Sequence, residues 1–166
     1  MQEFNMQGFM KLALEEAAKA KAKNEVPIGA VIVKDGQVVG RGHNLTETSK
    51  DATAHAETNA IKDAARNLGG WRLTGCHMYV TIEPCSMCAG ALVWSRIERL
   101  YYGAKDPKAG GCGSVINVVN CQELNHQVEV YSGLLEEQCR SIVQEFFKEL
   151  RNNKKKVKSE EVTKNE

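Results

Sequence analysis

His55-Ala56-Glu57 and, about thirty positions on, Pro84-Cys85-Ser86-Met87-Cys88 combine residue types that can hold a metal ion and move a proton. Imidazole nitrogen and thiolate sulfur are donors that zinc favours, and two cysteines at i and i+3 of a helix share a face, close enough to bind one ion. A helix start also stabilises thiolates, through the positive end of its dipole and its exposed N–H groups. Three protein ligands leave the fourth tetrahedral position for a water, whose pKa zinc brings down to about 7. Glu57 has no place in a purely structural zinc site, but a carboxylate beside such a water is a general acid and base. Positions i and i+2 do not share a helix face, so spacing alone leaves open whether His55 and Glu57 address one pocket. Two other chemistries use part of the pattern. A Cys-x-x-Cys at a helix start also describes a thioredoxin-type redox site. A structural zinc would need a fourth ligand from Cys76, His77, Cys112 or His126, none of which has ligand spacing to the pair.

These residues need a scaffold, and hydrophobic periodicity supplies one. Phe9, Ala13, Ala17 and Ala20 predict an amphipathic helix over about residues 9–23, ending before Pro27. The β-branched runs 28–33 and 38–41 flank Lys34-Asp35-Gly36-Gln37, whose Asp-Gly pair predicts a tight hairpin. Asp51 or Thr53 would cap a helix running to Leu68, stopped by Gly69-Gly70, with His55 in its first turn. Residues 78–82 read as a buried strand. Pro84 then takes the first position of a helix that continues to about Ser95. Short strands over 99–102 and 128–131 precede a helix over 134–151, with Leu135, Cys139, Ile142, Val143, Phe146 and Leu150 on one face. Strands alternating with helices predict an α/β fold, a mixed sheet covered by helices in a three-layer α-β-α arrangement.

The chain has 166 residues, 42% of them hydrophobic, which suits one domain over residues 1–151. Residues 152–166 read as a lysine-rich, flexible C-terminal tail. No run of apolar residues is long enough for a membrane helix and the start lacks a secretion-signal pattern, so the expected location is cytoplasmic, with no membrane partner. A reducing compartment and a sufficient core argue for metal ligands and free thiols among the six cysteines, those outside the pair being small buried hydrophobes. The net charge of +1 is uninformative about nucleic acid. Its distribution is not, since Lys148, Arg151, Lys154, Lys155, Lys156 and Lys158 crowd together with Glu149 the only acid among them.

His-x-Glu followed by Pro-Cys-x-x-Cys is the signature of zinc-dependent nucleobase deaminases. Around it, Thr53-Ala54-His55-Ala56-Glu57, Tyr79-Val80-Thr81-Ile82-Glu83-Pro84-Cys85, Met87-Cys88-Ala89-Gly90-Ala91 and Asn125-His126-Gln127-Val128-Glu129 resemble the bacterial tRNA adenosine deaminases, within the cytidine deaminase-like superfamily. The resemblance runs from about Phe9 to Arg151, and Glu25-Val26-Pro27-Ile28-Gly29-Ala30 with Asn125-His126 point to the tRNA branch. It implies a five-stranded mixed sheet, a homodimer, and hydrolysis of the wobble adenosine of an arginine tRNA anticodon to inosine, with release of ammonia from a flipped-out base. It assigns one Zn2+ per chain to His55, Cys85 and Cys88, and proton transfer to Glu57. By the same resemblance Asn44 hydrogen-bonds the base. Asp106, Lys108 and Asn125 contact the anticodon loop, while Phe147 and Arg151 grip the RNA by stacking and phosphate pairing. The alternative with the same core is a guanine- or cytosine-type nucleobase or nucleotide deaminase; the alternative of another class is a structural zinc or redox module.

Overall fold

The computed structural model describes residues 2–164. Ten elements follow one another: α1 (Gln2–Ala22), β1 (Gly29–Lys34), β2 (Gln37–His43), α2 (Thr46–Ser49), α3 (Ala56–Leu68), β3 (His77–Ile82), α4 (Ser86–Trp94), β4 (Arg99–Ala104), β5 (Glu129–Ser132) and α5 (Glu136–Lys164). The strands form one five-stranded mixed sheet in the order β2-β1-β3-β4-β5. β1 pairs antiparallel with both β2 and β3, while β3–β4 and β4–β5 are parallel. The Asp-Gly turn forms as expected, with Asp35 and Gly36 both at positive φ (50° and 76°).

Strand side chains alternate between two cores, as a pleated sheet covered on both faces requires. Ala30, Ile32, Met78, Val80, Leu100 and Tyr102 pack with Ala56, Ala60 and Ala64 of α3 and Leu92 of α4. Val31, Val33, Tyr79 and Tyr101 face the other way, onto Met10 and Ala13 of α1 and Cys139 of α5. The α-β-α layering expected of the sequence is therefore present. The start of β1, the end of β2 and, through the antiparallel β1–β3 pairing, the ends of β3 and β4 lie at one sheet edge. That edge is where open α/β sheets place their ligands.

Several boundaries differ from the sequence expectation for local reasons. α1 begins at Gln2, about two turns before Phe9, because no proline interrupts the preceding residues and the helix tolerates Gly8. His55 is the N-cap of α3 and not a first-turn residue. Asp51, the expected cap, accepts the Thr53 N–H (2.8 Å) and hydroxyl (2.6 Å) in a local turn. Pro84 precedes the N-cap Cys85 and so lies two positions before α4's first residue, Ser86. Helical conformation also persists past Arg151: α5 runs 29 residues to Lys164. Residues 152–164 contain no Gly or Pro and are rich in Lys and Glu, good helix formers. Met1, Asn165 and Glu166 lie outside the described residues.

Candidate active site

At that sheet edge, the Cys85 and Cys88 sulfurs lie 3.6 and 3.5 Å from His55 Nδ1. Ligand atoms of these three residues fall within 4.8 Å of one another, the one group of this kind among the described residues. Local structure fixes each donor. His55 has extended backbone (φ −81°, ψ 161°) at the head of α3 and donates its own N–H to Thr58 Oγ1 at 3.1 Å. Cys85 occupies the corresponding place at the head of α4, again extended, with Cys88 buried in the first turn behind it. Two helix starts thus converge on one point from the same face of the sheet.

The charge state of the sulfurs is consistent with a cation. The Cys85 thiol is drawn down to about 5, chiefly by its hydrogen bond with Cys88, against the opposing effect of burial and with help from the Cys88 and Met87 backbone N–H groups and from His55. The same hydrogen bond pushes the Cys88 thiol far up, together with its burial and the nearby Glu57 carboxylate. A divalent ion binding both sulfurs as thiolates would take the place of a proton between them. Two sulfurs and an imidazole nitrogen are a zinc donor set, and no fourth protein donor among the described residues joins them. His126, a fourth-ligand candidate, instead has Nε2 2.7 Å from the Ile97 carbonyl.

Glu57 lies on the first turn of α3, 4% exposed, and lines a cavity of about 290 Å³ together with His55, Cys85 and Asn44. The helix cap resolves the question that spacing left open: His55 belongs to the extended segment before α3, so both side chains can enter one pocket. Burial raises the Glu57 carboxyl above the usual carboxylate range, outweighing contacts from its backbone and from Cys88 that lower it. A carboxyl group shifted this way holds a proton more readily than one in water, which suits a group that accepts and returns protons.

The remaining sequence-predicted residues fall in three places. Asn44 is 7% exposed in the cavity wall, its Nδ2 donating to the Val26 carbonyl (3.4 Å) and its Oδ1 accepting the Thr46 N–H (3.3 Å). Asp106 lines the cavity, and its carboxylate accepts the N–H groups of Lys108 (3.0 Å) and Ala109 (3.1 Å). Lys108 is exposed on the loop just beyond it. Asn125 is elsewhere, in an open cavity with Trp94 and Leu124. Phe147 (40% exposed) and the exposed Arg151 stand on the outer part of α5, away from the cavity lining. Phe147 meets Phe146 edge-on at 5.5 Å.

The sequence reading assigned no role to two buried carboxylates, Glu25 beside the pocket and Glu83, which itself lines the cavity. Glu25, 1% exposed, accepts the N–H groups of Glu47 (3.0 Å) and Thr48 (3.3 Å), and so ties down the short helix that carries Thr46. Glu83, 3% exposed, collects donors from the loop after β4. Glu83 ends the apolar run of β3 next to the Pro-Cys motif, and an acid at such a place was the available signal; Glu25 follows the polar run Lys23-Asn24 and carried none.

Comparison with known proteins follows the same line. The sequence profile of the MafB19-like deaminase family matches residues 4–151. A tRNA-specific adenosine deaminase of Bacillus subtilis (strain 168) is 52% identical over 147 residues, covering 89% of this chain and 91% of that protein. Its counterpart in Aquifex aeolicus (strain VF5) is 51% identical over 145 residues, 87% and 95% of the two chains. A solved structure from a study of A-to-I editing by tRNA:A34 deaminases at the wobble position of transfer RNA superposes with a TM-score of 0.79 at 49% identity, covering 81% of this chain and 98% of the other. A guanine deaminase from Nitrosomonas europaea, at 23% identity and a TM-score of 0.75, shares the fold.

Proposed function

The chain belongs to the tRNA-specific adenosine deaminases, and we propose that it converts the wobble adenosine of an arginine tRNA anticodon to inosine with one zinc ion per chain. The observation that carries this reading is the convergence of His55 Nδ1 and the Cys85 and Cys88 sulfurs beside a cavity that also holds the buried Glu57. A zinc ion bound by these three would supply the activated water that attacks the base. Glu57 takes one proton from the attacking water and gives it to the purine ring nitrogen, then takes the second from the hydroxyl left on the carbon and gives it to the amino group, which departs as ammonia. Asn44 offers a side-chain amide to the purine edge from a position already fixed by Val26 and Thr46. Val26, Ile28 and Ile82 give the base an apolar lining.

At the cavity mouth Asp106, part of the wall, and Lys108, just beyond it, meet the anticodon loop, and Phe147 and Arg151 grip it from outside by stacking and phosphate pairing. We assign the homodimer interface to the face that exposes Trp94 (72%) and Leu124 (41%), where apolar area is otherwise left to water. Asn125 lies on that face, so its role in RNA contact is assigned through the dimer. The site of action is the cytoplasm, where tRNA is decoded; no helix among the described residues is long and apolar enough to cross a membrane. One experiment tests the reading. Freshly purified protein, with its zinc content measured, is incubated with an arginine tRNA transcript and, separately, with free adenosine, guanine and cytidine. Inosine at the wobble position with one zinc per chain is expected; faster turnover of a free base overturns the tRNA assignment.

A further inference from the structure

Glu83 follows β3 directly and belongs neither to the ligand set nor to the proton path, yet its carboxylate is 3% exposed. Oε1 accepts the Asp106 N–H (3.2 Å) and the Ser114 hydroxyl; Oε2 accepts the N–H groups of Cys112 (3.1 Å) and Ser114 (3.2 Å). Every one of these donors lies in a single loop, residues 106–114, between β4 and β5. That loop does two things for the site. Asp106 and Ala109 form part of the cavity wall. Gly110 and Gly111 run against the Cys85 backbone: Gly110 bridges Cys85, the Gly111 N–H donates to the Pro84 carbonyl at 2.8 Å, and a Cβ on Gly111 would sit 2.8 Å from the Cys85 carbonyl. A Cβ on Gly110 would collide with the Glu83 carboxylate itself. Residues 107–109 and 113–117 are exposed, so little apolar packing holds these stretches. Backbone hydrogen bonds such as Gly111 N–H to Pro84 hold part of the loop, and the contacts to the one buried carboxylate tie Asp106, Cys112 and Ser114 to β3, which a buried carboxylate requires in return.

We infer that Glu83 is a positioning residue for the deamination, fixing the 106–114 loop as the wall that holds the base in register with Glu57. The inference rests on the deaminase reading above. Its test compares wild type, Glu83→Gln and Ser114→Ala in the zinc-loaded protein, by amide hydrogen exchange and by KM and kcat on an anticodon stem-loop. In Glu83→Gln an amide NH2 replaces one of the two accepting oxygens and faces N–H donors, so protection falls at the Asp106 amide or at the Cys112 and Ser114 amides, whichever side the NH2 takes, while α3 and β3 keep theirs. KM rises about tenfold, the scale of one charged hydrogen bond, and zinc stays at one per chain. A mere fall in the folded fraction leaves KM unmoved. Ser114→Ala removes one donor from an exposed residue and raises KM about two- to threefold, on the scale of a neutral hydrogen bond; if Glu83→Gln does not fold, this variant decides. Wild-type KM in both variants overturns the inference, as does exchange loss spread through α3 and β3 in Glu83→Gln. Failure of the deaminase's RNA assignment reads differently: the wild type itself is inactive on the stem-loop, and the KM comparison moves to whichever base or nucleoside it does turn over, while the exchange result stands.

Discussion

In the pocket, the reactive groups are held from more than one direction. His55 and Cys85 sit at two helix starts, Asn44 is bound at both ends of its amide, and Glu25 and Glu83 tie the flanking loops through backbone N–H groups. Along α5 the situation reverses. Cys139 is fully buried against the sheet and Gly103, but Phe147 and Leu150 are each 40% exposed, Val157 is 55% exposed, and residues 152–164 are exposed throughout. Beyond the Lys21–Glu149 ion pair (3.9 Å) the helix projects into solvent. Groups that stabilise a transition state gain from being fixed beforehand, because no reorganisation is then needed during the reaction. Groups that grip a flexible RNA loop settle their geometry with the partner. Substitutions in the two regions should therefore fail differently, the first in chemistry and the second in binding and salt dependence.

The largest expected effect is in the pocket. Glu57→Gln should lower kcat by about 10²–10⁴, the range of general acid–base catalysis, while zinc per chain and RNA affinity stay unchanged. Inosine formation, metal analysis and a binding titration on one preparation check all three. Loss of zinc in this variant would make Glu57 part of the metal site and break the separation drawn here. The complementary change, Cys85→Ala with Cys88→Ala, should abolish zinc binding and turnover together; zinc retained undiminished contradicts the ligand assignment.

How much of this was legible in the sequence follows the same division. The clustering of His55, Cys85 and Cys88 was readable because donor types and spacing follow coordination chemistry, and the strands because β-branched and apolar runs are set off by turn residues such as Asp35-Gly36. The convergence of His55 and Glu57 was not readable from spacing, since it depends on where α3 begins, and Asp51 spends its side chain on a local turn instead of a cap. Glu25 and Glu83 escaped because their partners are backbone groups 22 to 31 positions away, which no local pattern encodes. The expected end of α5 at Arg151 failed for another reason: the apolar stripe stops there, but Lys- and Glu-rich residues sustain a helix without it.

A smaller effect belongs to Phe147. Stacking of a base on an aromatic contributes about 1–3 kcal/mol, so Phe147→Ala should weaken use of an anticodon stem-loop roughly ten- to a hundredfold, carried by KM. Turnover of any small nucleoside accepted by the wild type should not change, because Phe147 is absent from the cavity lining. A fall in nucleoside kcat would mean that α5 reaches the pocket after all. Arg151→Ala should weaken the stem-loop less, and should flatten the dependence of log KM on log salt by about 0.7–0.9 for one phosphate contact.

The smallest expected effect lies farthest out. Phe147, Arg151, Lys154 and Lys158 recur at intervals of four, three and four residues, so on a continuous helix they form a single stripe. With a rise of about 1.5 Å per residue, Arg151 and Lys158 stand roughly 10 Å apart along the axis, too far to share one phosphate. The family profile ends at residue 151, so the two lysines continue the stripe proposed to meet the RNA beyond the matched range. Exposed single charges act weakly and over about a Debye length, about 8 Å at physiological salt. Lys154→Gln with Lys158→Gln should therefore raise KM for the stem-loop only a few-fold at low salt, leave kcat unchanged, and become indistinguishable from wild type as salt increases. Steady-state kinetics at two salt concentrations check this. A KM effect that survives high salt would show these lysines fixed against the RNA in a defined geometry, and the contrast between a prebuilt pocket and an adaptable helix would then end at Arg151 instead of running to the end of α5.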